Sequence, residues 1–210
     1  MMRRSLNEIE LMARKAAVGA GWAGGLAEDA GRAAAWLCSH GYDGVQAAHA
    51  SINAGPQELS VEHTQTGIVF QQAQAARAGP SVLDLMADGG VIDHAILLNV
   101  DCPVMVLGLA GTLSAQYGTA VGLEFANGTQ AHMAPEGHQI SGEIVCAPCD
   151  VRVRRITWPS LPVKPTDAAT GYDVNEGIWA KLESLAAKTY VPATDESRRR
   201  GAGAGLIDND

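Results

Sequence analysis

Val121 to Met133, reading VGLEFANGTQAHM, is the stretch that decides the fold class. Apolar residues alternate on both sides of Asn127-Gly128, the pattern of two strands, Val121–Phe125 and Thr129–Met133, joined by a type I′ turn. A tight hairpin commits this part of the chain to antiparallel pairing. Downstream, Glu143–Val145 and Val151–Trp158 read as further strands, the second with V-R-V-R alternation and a slip at Arg154-Arg155 that suits a bulge. Upstream, Val91–Val100 reads as a buried strand. Between them, Pro103–Tyr117 is long and apolar enough for a helix, with Pro103 suited to its first turn and Gly118 to its C-cap. Gly108 and Gly111 weaken that helix intrinsically and suit close packing against a neighbour.

Further towards the N-terminus the period changes from two to 3.6. Ser5 and Glu8 form a capping box that starts a helix at Leu6, with Leu6, Ile9, Ala13, Ala16 and Ala17 along one stripe and Gly19 and Gly21 as its stop. A second helix is expected from Leu26 to Ser39, with Gly41 as its left-handed cap, and a third from Val45 to Ile52. The first two make an αα-hairpin with an alanine-rich seam, and Trp36 is the large side chain available to wedge it onto the rest. The region from Val61 to Phe70 reads as a strand. Gln71–Ala78 fits a helix or a loop, and Ser81–Ala87 fits one or two helical turns. After a proline-punctuated linker at Pro159, Pro162 and Pro165, Val174–Lys188 reads as a last helix. Helices flanking hairpin-linked strands, without βαβ alternation, give an α+β fold with a mostly antiparallel sheet. The expected division is one domain over 1–210: a helical part at 1–54, an α+β core at 57–160, and a C-terminal helix with an extended Gly-rich segment at 174–210.

The chain has 210 residues, a 47% apolar share and a net charge of −8. Residues 41–140 hold nine acids and one cation, Arg77, so that block carries the whole excess. Nucleic acid binding needs a basic footprint, and this is the reverse of one. No apolar run is long enough for a membrane span and no secretory h-region follows Arg3-Arg4. Four cysteines do not make a disulfide framework in a chain of this size, which points to a reduced, cytoplasmic setting.

Gly19-Ala20-Gly21-Trp22-Ala23-Gly24 matches G-x-G-x-x-G, but a capped helix feeds these glycines where a dinucleotide site needs a strand. Cys146-Ala147-Pro148-Cys149 is followed by a strand pattern, whereas a redox pair needs a helix N-terminus there. The same cysteines with His132 and His138 supply four donors that suit tetrahedral zinc, giving a zinc-dependent hydrolase as one reading. Glu62-His63 and Asp93-His94 cannot act as couples locally, because adjacent strand residues point to opposite faces; a site would need His63, His94 and Asp101 brought together. No motif names a cofactor.

The closing segment holds the remaining candidates. Gly201, Gly203 and Gly205 free the backbone amides to form an anion nest. Ser197, Arg198 and Arg200 add a hydroxyl and guanidinium forks suited to carboxylate or phosphate, and Asp208 and Asp210 close the chain. The expectation is a protein that binds a small anionic metabolite, as an enzyme or an enzyme accessory, with this segment folded back near the Gly19–Gly25 loop. The alternative is a non-enzymatic assembly module whose C-terminal segment docks into a protein partner or a second copy.

Ser5 to Trp36, SLNEIELMARKAAVGAGWAGGLAEDAGRAAAW, and Thr189 to Asp210, TYVPATDESRRRGAGAGLIDND, resemble a bacterial family catalogued as domain of unknown function 3726. The resemblance implies that the two ends form one recurrent unit and carries over no substrate, cofactor or site residue. Over a shorter stretch the opening helices are similar to the start of the malate/lactate dehydrogenase family.

Overall fold

A computed structural model describes residues 1–55, 59–64, 67–87, 92–144, 146–157 and 169–190. In chain order these form β1 (Met2–Ser5), α1 (Leu6–Gly19), α2 (Gly24–Ser39), α3 (Gly44–Asn53), β2 (Ser60–His63), β3 (Ile68–Gln71) and α4 (Ala75–Met86). There follow β4 (His94–Val100), α5 (Pro103–Tyr117), β5 (Val121–Phe125), β6 (Gln130–Ala134), β7 (Gly137–Ser141), β8 (Cys149–Arg155), β9 (Gly171–Val174) and α6 (Glu176–Ala186), with a 3₁₀ turn at Ala187–Thr189. The fold is α+β. A seven-stranded sheet runs β2-β3-β4-β8-β5-β6-β7, and only β3 and β4 pair in parallel, joined by α4 as their crossover.

Strand alternation makes the sheet two-faced. Ala95 and Leu97, Leu123 and Phe125, and Val151 and Val153 are buried on one side under α4 and α5. Arg152, Arg154 and Glu124 are exposed on the other. The helix α5 is buried nearly all round, because α2 and α3 cover the side away from the sheet. Its two internal glycines are where α2 comes close. A Cβ on Gly108 would lie 2.8 Å from the Ala33 carbonyl oxygen, and one on Gly111 would lie 2.3 Å from the Trp36 indole. The bounds of α5 and its Gly118 cap, in the left-handed region at φ +65°, are those the sequence predicts.

The two ends of the chain meet. The capping box at α1 is formed: the Glu8 amide donates to Ser5 Oγ at 3.2 Å, and the Ser5 amide donates to Glu8 at 2.9 Å. Residues immediately before it, β1, pair antiparallel with β9, and α1 packs along α6. Arg3 faces Asp173 at 3.7 Å and the Arg4 guanidinium lies 4.8 Å over the Trp179 ring. Where α1 meets α6 the backbones touch, since a Cβ on Gly19 would stand 1.9 Å from the Leu185 carbonyl oxygen.

Several expectations need correcting. The 121–134 hairpin exists, but its connection is not a type I′ turn. The Gly128 amide donates to the Phe125 carbonyl and the Phe125 amide to the Thr129 carbonyl, so the loop has three residues, with Gly128 alone at positive φ (+84°). The third strand of this meander is β7; of the expected strand Glu143–Val145, the described residues Glu143 and Ile144 are not in a strand, and Val145 lies outside the described residues. Asn127 Nδ2 and Thr129 Oγ1 both donate to the Glu143 carbonyl, at 2.9 and 2.8 Å, which spends that carbonyl on the turn and not on a ladder. Arg154 and Arg155 stay in register with Gly122 and Val121. The irregularity falls instead on β4, where Asn99 at φ +48° gives its amide to the Asp150 carboxylate at 2.8 Å. Within the ambiguous 71–87 region, Gln71 ends β3 and Ala75–Met86 form one helix that accommodates Pro80 in its interior. Strands β1 and β9 are too short to show in the pattern. The linker prolines lie outside the described residues.

Candidate functional site

The last turn of α2, the middle of α5 and the β6–β7 hairpin converge on one small pocket of about 110 Å³. The end of α2 supplies Trp36 and His40, α5 supplies Gly111 and Ser114, and the hairpin supplies Met133 to Pro135, Gly137 and His138. His40 is the C-cap of α2, and the chain leaves it through Gly41 at φ +84°, a conformation that reverses it sharply into α3. His138 pairs in register with Met133, so strand alternation turns its ring to the helix-covered face of the sheet.

Three rings meet there. His40 stacks on Trp36 with centroids 4.0 Å apart and planes 23° from parallel. His138 stands edge-on to both, 4.7 Å from His40 at 86° and 5.4 Å from Trp36 at 72°. Edge-to-face and offset-stacked contacts of this kind fix ring orientation and contribute about 0.5–1.5 kcal/mol each beyond area burial. Gly111 is the position that makes the cluster fit, because its missing side chain is the floor on which Trp36 lies.

The tautomer of His40 follows from its partners. Nδ1 is 2.7 Å from the Trp36 carbonyl oxygen and 2.8 Å from Ser39 Oγ, and Ser39 Oγ donates to the same carbonyl at 2.7 Å. A carbonyl only accepts, so Nδ1 carries the proton and Nε2 is the basic nitrogen of the neutral ring. The His138 imidazole is held below the ordinary histidine range, first by burial and second by repulsion from charge on His40. A charge on His40, whose ring is 4.7 Å away, disfavours a second one on His138. A ring held neutral beside a second ring with a fixed tautomer is the arrangement that accepts and returns a proton.

The sequence-predicted candidates are placed as follows. Ser197, Arg198, Arg200, Gly201, Gly203, Gly205, Asp208 and Asp210 all lie outside the described residues. The described chain runs to Tyr190, whose ring lies 5.6 Å from the Lys15 ammonium of α1. The zinc set does not converge: His132 and His138 fall on opposite faces of adjacent strands, and Cys149 stands at the start of β8 opposite Val100. Among the described residues no group of three or more His, Cys, Asp or Glu side chains is arranged to hold a metal ion. His94 opens β4 and Asp101 follows its last residue, seven positions on, about 23 Å at 3.3 Å per residue. Asp101 caps instead, taking the Ala75 and Cys102 amides at 2.7 Å each. Burial pushes the Cys38 and Cys102 thiols up to about 11, which makes them inert. The Gly19–Gly24 loop joins α1 to α2 and borders a depression of about 190 Å³ with Gln74 and Arg77, and no strand feeds it.

Ser39-His40-Gly41 is the part of the site that a sequence reading passes over. Its partner His138 is 98 positions away, and nothing local links the two. The readable hint was the small face of α5 at Gly108 and Gly111 together with one tryptophan in an alanine-rich helix.

No curated protein matches the chain. Among solved structures, the chain is similar to malate dehydrogenase from Entamoeba histolytica at 12% identity and a TM-score of 0.45, over 70% of this chain and 48% of that one. The chain therefore spans about half the length of that enzyme. Among the described residues no helix is long and apolar enough to cross a membrane. Residues 4–79, which include Trp36, Ser39 and His40, match the family described as Protein of unknown function (DUF3726), and it is to that family that the chain shows its sequence resemblance.

Proposed function

We propose that the pocket between α2, α5 and β7 binds a small anionic metabolite and that His40 and His138 move one proton on it. The observation that carries this reading is the ring pair itself: two imidazoles 4.7 Å apart in a cavity of about 110 Å³ floored by Gly111. A histidine kept neutral by burial gains a counter-charge when an anion arrives, so anion entry and proton uptake are coupled. A volume equal to roughly three or four waters, at about 30 Å³ each, admits a ligand of only a few heavy atoms. Carboxylic acids of short chain length fit that description, with the His138 ring, once protonated, as the charged donor and Ser114 at the wall.

Isothermal titration with a panel of short mono- and dicarboxylic acids and inorganic phosphate tests the reading. At least one carboxylate is expected to bind with proton uptake, seen as a buffer-dependent enthalpy, and His138→Gln is expected to remove the uptake. If no member of the panel binds, or if binding is unchanged in both His40→Gln and His138→Gln, the site is not a ligand pocket.

A further inference from the structure

The face of the large sheet away from the helices carries a charge order with a direction. Along β8, Asp150, Arg152 and Arg154 are exposed and alternate with the buried Val151 and Val153, so one acid and two bases share the outer face. Arg152 is matched within the chain by Glu124, its register partner on β5, at 3.5 Å. Arg154 makes no ion pair among the described residues, and it lies across Gly122, where a Cβ would come within 3.3 Å of its Nε. The face is therefore basic at the Arg154 end, acidic at the Asp150 end and paired in the middle. Beside β8, Ile96 and Leu98 of β4 supply half-buried apolar surface. Two open depressions occupy the ends, about 280 Å³ around Arg154 and about 370 Å³ around Asp150.

We propose that this face is a two-fold interface with a second copy of the chain. A symmetry axis lying between two such faces and running across the strands at the Ile96–Arg152–Glu124 row reverses strand direction. It lays Arg154 over Asp150 of the second copy, and Asp150 over Arg154 of that copy, while Ile96, Arg152 and Glu124 each meet their own equivalents, the last two already paired with one another within each chain. Asp150 and Arg154 are about 14 Å apart along β8 at 3.4 Å per residue. That exceeds the Debye length of about 8 Å at physiological salt, so each Arg154–Asp150 contact acts separately. An axis running along β8 would set Arg154 over Arg154 and Asp150 over Asp150, so the charge order of β8 selects the reversed arrangement. Seven strands about 4.8 Å apart and about 17 Å long give a face of roughly 500 Å² in projection, the scale of one side of a small specific interface. This inference concerns a surface on the far side of the sheet from the histidine pocket and stands or falls without it.

The test uses sedimentation velocity on the full chain over a dilution series at low salt. Wild-type protein is expected to dimerise. Arg154→Asp and Asp150→Arg are each expected to weaken self-association by about tenfold or more, because each homodimer then faces like charges twice. Mixing the two variants is expected to restore the dimer, since both contacts in the mixed pair are again opposite in sign. A monomer at every concentration overturns the proposal, and so does a dimer that neither variant weakens. Asp150 also holds the Asn99 amide, so Asp150→Arg can disturb folding. Arg154→Asp removes no hydrogen bond among the described residues, and its failure to dissociate the dimer is sufficient to refute the idea.

Discussion

Replacing Gly111 by alanine puts the account of the pocket under the most specific strain. In an ordinary helix interior this change stabilises by about 1 kcal/mol, because glycine has the larger backbone entropy to lose. Here the new methyl would stand 2.3, 2.5 and 2.7 Å from three atoms of the Trp36 ring, where ordinary contacts begin near 3.4 Å. The ring has to move by about 1 Å or more, and it is a rigid bicycle stacked on His40 at 4.0 Å, so it has no free end to swing aside. Overpacking of this kind costs about 1–3 kcal/mol, which outweighs or cancels the helix gain. Gly25 is the matched control. It lies in the first turn of α2, where an added methyl would meet nothing within 4 Å, so Gly25→Ala should gain up to about 1 kcal/mol. Urea unfolding of both variants at equal m-value gives the comparison, and Gly111→Ala is expected to fall about 1–3 kcal/mol below Gly25→Ala. The displaced ring also presses on His40, so the carboxylate response should be lost in Gly111→Ala and kept in Gly25→Ala. Equal stabilisation of the two variants would refute the packing on which the pocket rests.

Five further outcomes are expected. Asp101→Ala orphans the Ala75 and Cys102 amides and should cost about 1–3 kcal/mol. Burial raises the Asp101 carboxyl above its ordinary value, so its stabilising form is the protonated one, complete below the unfolded value and lost as pH rises through the folded one; Asp101→Asn, which keeps an acceptor without the charge, should therefore match or exceed wild type at neutral pH in urea unfolding. His138 has the opposite sign: a depressed folded value means its contribution is complete above about 6.5 and is lost as pH falls through the folded value, so His138→Gln should flatten the decline of melting temperature on the acid side. Gly19→Ala forces α1 from α6 by backbone contact and should lower the melting temperature more than any alanine substitution at an open glycine such as Gly24. Removing Thr194–Asp210 should lower the melting temperature or abolish a ligand response if that segment folds back near the Gly19–Gly25 loop; a truncated chain with unchanged melting and unchanged titrations would end that expectation.

How much could be read from residues alone divides along physical lines. Features set by neighbours in sequence were legible: the Ser5–Glu8 capping box, the bounds of α5 between Pro103 and Gly118, and the antiparallel hairpin at 121–134. Features set by a distant partner were not. The strands β1 and β9 each have four residues and are strands because they pair with one another across nearly the whole chain. The 137–141 strand was hidden because its short connection after Ala134 carries none of the stronger turn pairs, while 143–145 offered better β-formers. The loop at Asn127-Gly128 departs from expectation because the dipeptide fixes a turn but not the residue count around it. The site was the least legible part. In sequence His138 has the look of a surface residue on a hairpin and of a zinc donor, and only the register with Met133 shows which face it takes. Trp36 stands out as a wedge, yet nothing near it in sequence says that its lower face rests on Gly111 and its upper face on His40.

The most direct test of the central claim is the pH titration of the His40 and His138 ring resonances by NMR, in wild type and in each single Gln variant. The account predicts that His138 titrates below the ordinary histidine range, that His40→Gln moves it part of the way back up while burial holds the rest, and that a binding carboxylate raises it. A His138 ring that titrates at the ordinary histidine value and is indifferent to His40→Gln would contradict it.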